Sequence, residues 1–267
     1  AVQNVLNQGK KLVDVKDDPK GLPPEQLKEL AKSFPVNYNT ERKDAPNMPG
    51  MSLSMGTGWK FSNVKIGTAG SALYGQTSEI INRSSYGYKP PTASTPRLEA
   101  DFARKTNYSE IETRLAGSYD LGVELFNDHK ITASTFLLRN TTNFTQVDQT
   151  DSFTAPGNYL ESTTLDFIER QLWTRYLKGE HTLTKVVGHP IKLDWRYGLA
   201  DSSRDSKDRR QYAYNVTSSS INMASNNLGN QRIYSGLKDD TQEMAFDVTI
   251  PFQGFGREVV KLKMRMN

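Results

Sequence analysis

The chain has 267 residues, 36% hydrophobic and 24% charged, with a formal net charge of +4 and no cysteine. Its mean hydropathy is −0.65 and no run approaches the ~18 consecutive apolar residues of a helical span, so helical membrane segments are excluded, as are disulfides and thiolate metal sites. Basic residues are interleaved with Asp and Glu rather than gathered in a block, so no nucleic-acid partner is expected. Ala1 opens no signal peptide, and the chain reads as mature or as an internal piece of something longer.

Residues 1–50 are polar and punctuated by proline, and read as an irregular loop region with one short helix. That helix is predicted at Pro23–Ser33, with Pro in the first turn, an early Glu25, Leu27 and Leu30 three apart, and Phe34-Pro35 as its stop. From Met51 the period becomes two. Met51, Leu53, Met55, Trp59 and Phe61 alternate with Ser, Gly and Lys, Ser62-Asn63 turns, and a second strand runs from Val64 to about Ile80. The stretch 82–109 then reads as a polar loop.

The longest patterned stretch is the hairpin 111–140. Ile111, Leu115, Tyr119, Leu121, Val123 and Leu125 fall on one strand face, against Glu112, Arg114, Asp120 and Glu124 on the other. Asn127-Asp128-His129 supplies turn chemistry, and a Thr-rich strand from Lys130 to Arg139 leads back. Residues 141–161 read as loop, and 165–183 as a strand of poor alternation, because Arg175 shares a face with Trp173 and Leu177. Ile191, Leu193, Trp195, Tyr197 and Leu199 alternate cleanly with Lys192, Asp194 and Arg196. A polar loop at 200–243 is followed by Phe246, Val248, Ile250 and Phe252 on one face of a descending strand. A last strand alternates Val260, Leu262, Met264 and Met266 with Lys261, Lys263 and Arg265.

These elements make about eight strands in four hairpins. Short turns join Phe61 to Val64, Leu125 to Ile131, Leu183 to Ile191 and Phe252 to Val259. The other ends carry loops of roughly 20–45 residues, well above the ~12–15 that compact soluble domains tolerate. The expected fold is all-β, an antiparallel up-and-down portion of a transmembrane β-barrel with short periplasmic turns and long extracellular loops. Residues 1–50 are then an extracellular loop region and 51–267 a partial barrel. Its lumen-facing candidates are Glu112, Arg114, Asp120, Glu124, Lys192, Asp194 and Arg196. Its lipid-facing candidates are Leu115, Tyr119, Leu121, Val123, Leu193, Trp195, Phe246, Val248 and Ile250. Trp59, Phe61 and Phe252 at the short-turn ends, and Tyr74, Tyr86, Tyr88, Tyr108, Tyr197 and Tyr212 toward the loop ends, are candidate interfacial girdles.

No chemistry-bearing constellation stands out. His129, His181 and His189 have no spacing suited to one metal and read as turn histidines. Asp201, Asp205, Asp208, Asp239 and Asp240 read as a solvated acidic loop, and Gly56-Thr-Gly58 lies inside a strand. Glu112 with Glu124 and Asp166 with Glu169 could serve as acid and base, but charged lumen lining explains them more simply. No catalytic residue, metal or cofactor is expected.

Several local signatures resemble TonB-dependent outer-membrane receptors: Leu22-Pro-Pro-Glu-Gln-Leu with Ser33-Phe-Pro-Val-Asn-Tyr38 before a strand, and Glu169-Arg170 ahead of Gly179-Glu-His-Thr-Leu183 and Ile191-Lys-Leu-Asp-Trp-Arg196. A third is Asp247-Val-Thr-Ile-Pro-Phe252, followed by Gly256-Arg-Glu258 and a Lys-rich strand. Each motif is degenerate, and their order carries the resemblance. It implies uptake of a scarce ligand across the bacterial outer membrane, without covalent chemistry. The implied partners are outer-membrane lipid and lipopolysaccharide, a ligand of unknown identity, surface lipoproteins or other outer-membrane proteins, and TonB through an N-terminal part. Such receptors carry a plug domain and many more strands, so the chain is expected to be a middle portion of the barrel, with its Met51 strand not closing onto its Val260 strand. Two alternatives are an outer-membrane scaffold or adhesion barrel whose loops hold partner proteins, and a soluble all-β carbohydrate-active enzyme.

Overall fold

The computed structural model describes residues 5, 8–33, 40–45, 47–152, 157–183, 190–224, 229–253 and 259–266, with backbone alone at residue 152 and from residue 251 onward. The chain divides into two units, Ala1–Asp44 and Ala45–Asn267. In the first, Asp14 and Leu22 form an isolated parallel bridge, and Leu22 is buried. Gly21 is required there, because a Cβ would come within 2.6 Å of the Val13 and Asp14 carbonyl oxygens. Helix α1 spans Pro24–Lys32, one residue inside each predicted end, with Glu25 in its first turn and Lys32 in its last.

The second unit is one antiparallel sheet. Its strands are β1 (Gly50–Phe61), β2 (Val64–Lys89), β3 (Glu99–Leu125), β4 (His129–Ser152), β5 (Tyr159–Leu183), β6 (Ile191–Val216), β7 (Ile221–Met223), β8 (Asn230–Gln253) and β9 (Val259–Met266). Their order is β1-β2-β3-β4-β5-β6-β8-β9, with β7 paired to β6 alone. The architecture is all-β and up-and-down. The sheet is open: β1 and β9 each have one neighbour and do not pair with each other. Among the described residues no helix is long and apolar enough to cross a membrane.

The short turns fall where alternation stops. Ser62-Asn63 joins β1 to β2, and Phe126-Asn127-Asp128 joins β3 to β4, with Phe126 at φ 53° and Asn127 at φ 63°. Two successive positive φ values give a hairpin connection the twist of its strands, and Asn tolerates them well. The predicted turns between Leu183 and Ile191 and between Phe252 and Val259 fall on 184–189 and 254–258, outside the described residues.

The polar stretches depart from the sequence reading. Residues 82–89, 99–109, 141–152, 159–161, 200–216 and 230–243 are strand, not loop, so β2 to β6 each run for 24 to 27 residues. Asp201, Asp205, Asp208, Asp239 and Asp240 therefore sit on β6 and β8. The cause is backbone pairing. β3 to β6 exchange hydrogen bonds with two neighbours over nearly their whole length, and β2 beyond Gly75 pairs with β3 alone, so these extensions need no apolar side chain to persist. Three register shifts, at Gly87/Tyr88, Leu165/Ile168 and Ser206/Arg209, interrupt these extensions, and none falls in the hydrophobic half of a strand.

There is no second layer. Among the described residues no large side chain is fully buried, and the few buried apolar groups, such as Ile168, Tyr212 and Ala245, do not form a core. A soluble domain buries its apolar faces between two packed layers. This sheet leaves Met51, Leu53, Met55, Trp59, Phe61, Leu115, Tyr119 and Met244 exposed, all on the same side.

Candidate functional site: the charged face of the sheet

Directly opposed residues of an antiparallel pair share a face, so the register assigns every strand position to one side. All seven predicted lumen residues, Glu112, Arg114, Asp120, Glu124, Lys192, Asp194 and Arg196, fall on one face. All nine predicted lipid residues, Leu115, Tyr119, Leu121, Val123, Leu193, Trp195, Phe246, Val248 and Ile250, fall on the other.

One slice of the sheet shows the contrast most directly. Lys60, Lys65, Glu124, Lys130, Glu180, Asp194, Asp247 and Arg265 are consecutive register partners, one per strand from β1 to β9 with β7 aside. The row one residue away, on the opposite face, is Trp59, Ile66, Val123, Ile131, Gly179, Trp195, Phe246 and Met266. Eight ionisable residues thus back onto a row with none. Lys65 donates to Glu124 at 2.7 Å, and Glu180 pairs with Lys178. A hollow of about 660 Å³ opens among Glu124, Lys130, Glu180, Lys192, Asp194, Arg196 and Asp247.

The apolar face is a band, not a whole side. It covers 51–61 on β1, 64–74 on β2, 115–125 on β3, 129–137 on β4, 173–183 on β5 and 191–199 on β6, a height of nine to eleven residues. A strand crossing a bilayer at a tilt needs about 9–11 residues. Above the band both faces turn polar, with Arg139, Glu169, Asp201 and Lys207 on the formerly apolar side. Inside it His129 and His181 stand opposite each other at the lower border, and Arg175 is the one residue of fixed charge among those described. Its guanidinium lies 4.1 Å from the Trp173 ring centroid and pairs with Asp201 at the upper border, so the charge leans out while the stem stays in the band.

Above the band, Glu112 is gripped by Arg114 through Nε at 3.0 Å and Nη2 at 2.6 Å, and accepts from Asn140 Nδ2 at 2.6 Å. The Arg114 hydrogen bonds hold its carboxyl below the usual range. Glu169 is lowered in the same way, by Arg139 first and then Lys207. Both groups lend stability that is fully present above the ordinary carboxylate value of about 4.3 and is lost as the pH falls through their lowered values. The urea midpoint of the folded protein should therefore drop on acidification below about pH 5, and Glu112→Gln with Glu169→Gln should flatten that limb of the profile. An unchanged acid limb in the double variant would refute the assignment.

Several sequence readings change. Asp166 lies on the charged face, bonded by Ser206 Oγ at 2.6 Å, while Glu169 lies on the other, so the two cannot act on one substrate. Glu112 and Glu124 share a face but stand twelve positions apart on β3. His129 and His181 are direct register partners with Nδ1 atoms 3.2 Å apart, and Trp195 Nε1 donates to His181 Nε2 at 3.0 Å. An indole N–H only donates, so His181 Nε2 accepts and the proton of His181 sits on Nδ1, facing His129. The sequence hid this pair because 52 positions separate its members. His189 lies outside the described residues, and among those described no three potential ligands gather around a metal position.

Of the expected girdle tyrosines, Tyr74 and Tyr197 lie on the apolar face within the band. Tyr86, Tyr88, Tyr108 and Tyr212 stand well above it, and Tyr108, on the charged face, has its hydroxyl pushed up to about 12 by burial and by its bond to Glu110. Comparison with models of known protein families finds no match, and comparison with curated protein sequences finds none.

Proposed function

We propose that this sheet is part of the wall of a bacterial outer-membrane β-barrel, its apolar band meeting lipid and its charged face lining a wet interior. The observation that carries the reading is the slice in which eight ionisable residues back onto eight that carry no charge. No single-layer sheet can hide such an apolar face from water by itself, whereas lipid accepts it and a water-filled lumen accepts the ionic row. In lipid an unpaired strand edge is not tolerated, so β1 and β9 would each take a second neighbour from strands outside the described set.

For the barrel's work we propose TonB-dependent uptake of a scarce ligand. This rests on the order of the sequence signatures from Leu22 to Glu258. Recognition would fall to the tall strand extensions above the band. A scaffold barrel, in which those extensions hold partner proteins without transport, is the second reading. It is favoured by their height, since more than half of each of β2 to β6 stands above the apolar band.

All three tryptophans of the chain, Trp59, Trp173 and Trp195, belong to the apolar face, which gives a direct test. In vesicles, lipids brominated on their acyl chains are expected to quench most of the tryptophan emission, and aqueous iodide little of it. Efficient iodide quenching with no effect of brominated lipid would overturn the membrane reading.

A further inference from the structure

We infer that the charged face carries an anion-binding site built on Arg170 and Arg204, whose ligand presents a doubly charged oxyanion, a phosphoryl or sulfuryl group. The inference rests on that face being open to an aqueous interior, as proposed above.

Just above the band, one register row on this face reads Gly75, Arg114, Asn140, Arg170, Arg204 and Leu237 from β2 to β8. Arg170 and Arg204 are directly opposed. Like charges in that relation destabilise a sheet, and where it recurs on this face, with Lys178 opposite Arg196, each base is held by its own acid, Glu180 and Glu243. Here the matching is missing. Among the described residues neither arginine makes an ion pair, and the one bond of this pair is from Arg170 Nη1 to the Thr142 hydroxyl at 3.1 Å.

The surroundings supply little of the missing charge: Glu112 acts on Arg170 through space alone, as the last of the influences on its carboxyl. Glu112 is held bidentately by Arg114, and Asp166, two positions from Ile168, is buried and bonded by Ser206. Glu169 and Asp205, next to the two arginines in sequence, project to the opposite face. Asp239, opposite Ser202, lies diagonally from Arg204 on the same face and forms no ion pair with it. Asn140 sits beside Arg170 with Nδ2 given to Glu112 and Oδ1 buried without a partner.

Both arginine residues are exposed, so the site is reachable. Two guanidinium forks on neighbouring strands match a tetrahedral oxyanion, which takes paired N–H donors on two of its edges. A single carboxylate would neutralise one arginine and leave the other. A dianion satisfies both.

The test is calorimetric titration of the intact, membrane-reconstituted protein with inorganic phosphate at constant ionic strength. The expected result is saturable binding of one phosphate per chain, competed by sulfate but not by acetate. Binding should weaken at least tenfold in Arg170→Gln and in Arg204→Gln, and remain unchanged in Arg139→Gln on the other face. Urea midpoints in chloride are expected to hold or rise in the two site variants, because a repulsion has been removed. If either Gln variant fails to fold, Arg204→Lys keeps the charge without the fork and should still weaken binding. Absence of saturable binding in the native chain, or equal weakening in Arg139→Gln, would overturn the site. Phosphate binding that persists where brominated lipid fails to quench would leave the site standing and remove the barrel.

Discussion

Leu121→Arg is expected to cost about 2–4 kcal/mol of folding free energy in lipid vesicles, while Thr132→Arg, opposite Lys178, should cost no more than about 1 kcal/mol. Leu121 lies midway up the apolar band of β3, between Thr68 on β2 and Ala133 on β4. In the proposed barrel a guanidinium there would stand at the bilayer midplane, too far from either interface for its stem to carry the charge out. Thr132, one register step away, lies between Gly122 and Lys178 on the ionic side, where an added cation meets water and the diagonal carboxylates Glu124 and Glu180, the latter already holding Lys178. The substitutions are nearly adjacent in space and add the same group. Urea titration of each variant folded into vesicles measures both. Equal costs would mean that the two faces meet the same medium, and the lipid and lumen assignments would fall together.

Gly179→Val should destabilise the sheet by about 1–3 kcal/mol, the usual cost of forcing volume into an occupied space. A Cβ at this position would come within 2.3 Å of Trp195 Cε2 and Nε1, because the indole lies across the glycine from the neighbouring strand. Displacing that ring also breaks its bond to His181. The same arrangement recurs where Tyr176 covers Gly198 and Phe102 covers Gly87. The effect should be specific to the pairing. Trp195→Ala added to Gly179→Val is expected to recover part of the loss, with a coupling of about 0.5–3 kcal/mol. Gly67→Val is the control: nothing lies within 4 Å of a Cβ at that glycine, and a β-branched residue suits an open strand position, so it should be neutral or stabilising. An additive double variant would show that the glycine serves some end other than making room for the indole.

The alternation of apolar and charged residues in 51–61, 111–125 and 191–199 was enough to read antiparallel strands, their two unlike faces and the members of each. That holds because side chains alternate with a period of two whatever the partners are. The first hairpin turn was equally legible, since Ser62-Asn63 interrupts the pattern where β1 ends. The upper halves of β2 to β6 were not. Runs such as Asn140-Thr-Thr-Asn-Phe-Thr-Gln146 have no apolar face, and only hydrogen bonds to strands already aligned by the band below hold them extended.

The register settled everything that depends on which strand lies beside which. It gathered Lys60, Lys65, Glu124, Lys130, Glu180, Asp194, Asp247 and Arg265 into one row from positions scattered along the whole chain. It set His129 against His181 and Arg170 against Arg204. Local sequence therefore determined which side of a strand each residue takes, because that follows from backbone geometry within a few residues. Tertiary structure alone decided who stands opposite whom, because an offset of one residue in pairing leaves each strand's own pattern intact while exchanging every neighbour across the sheet.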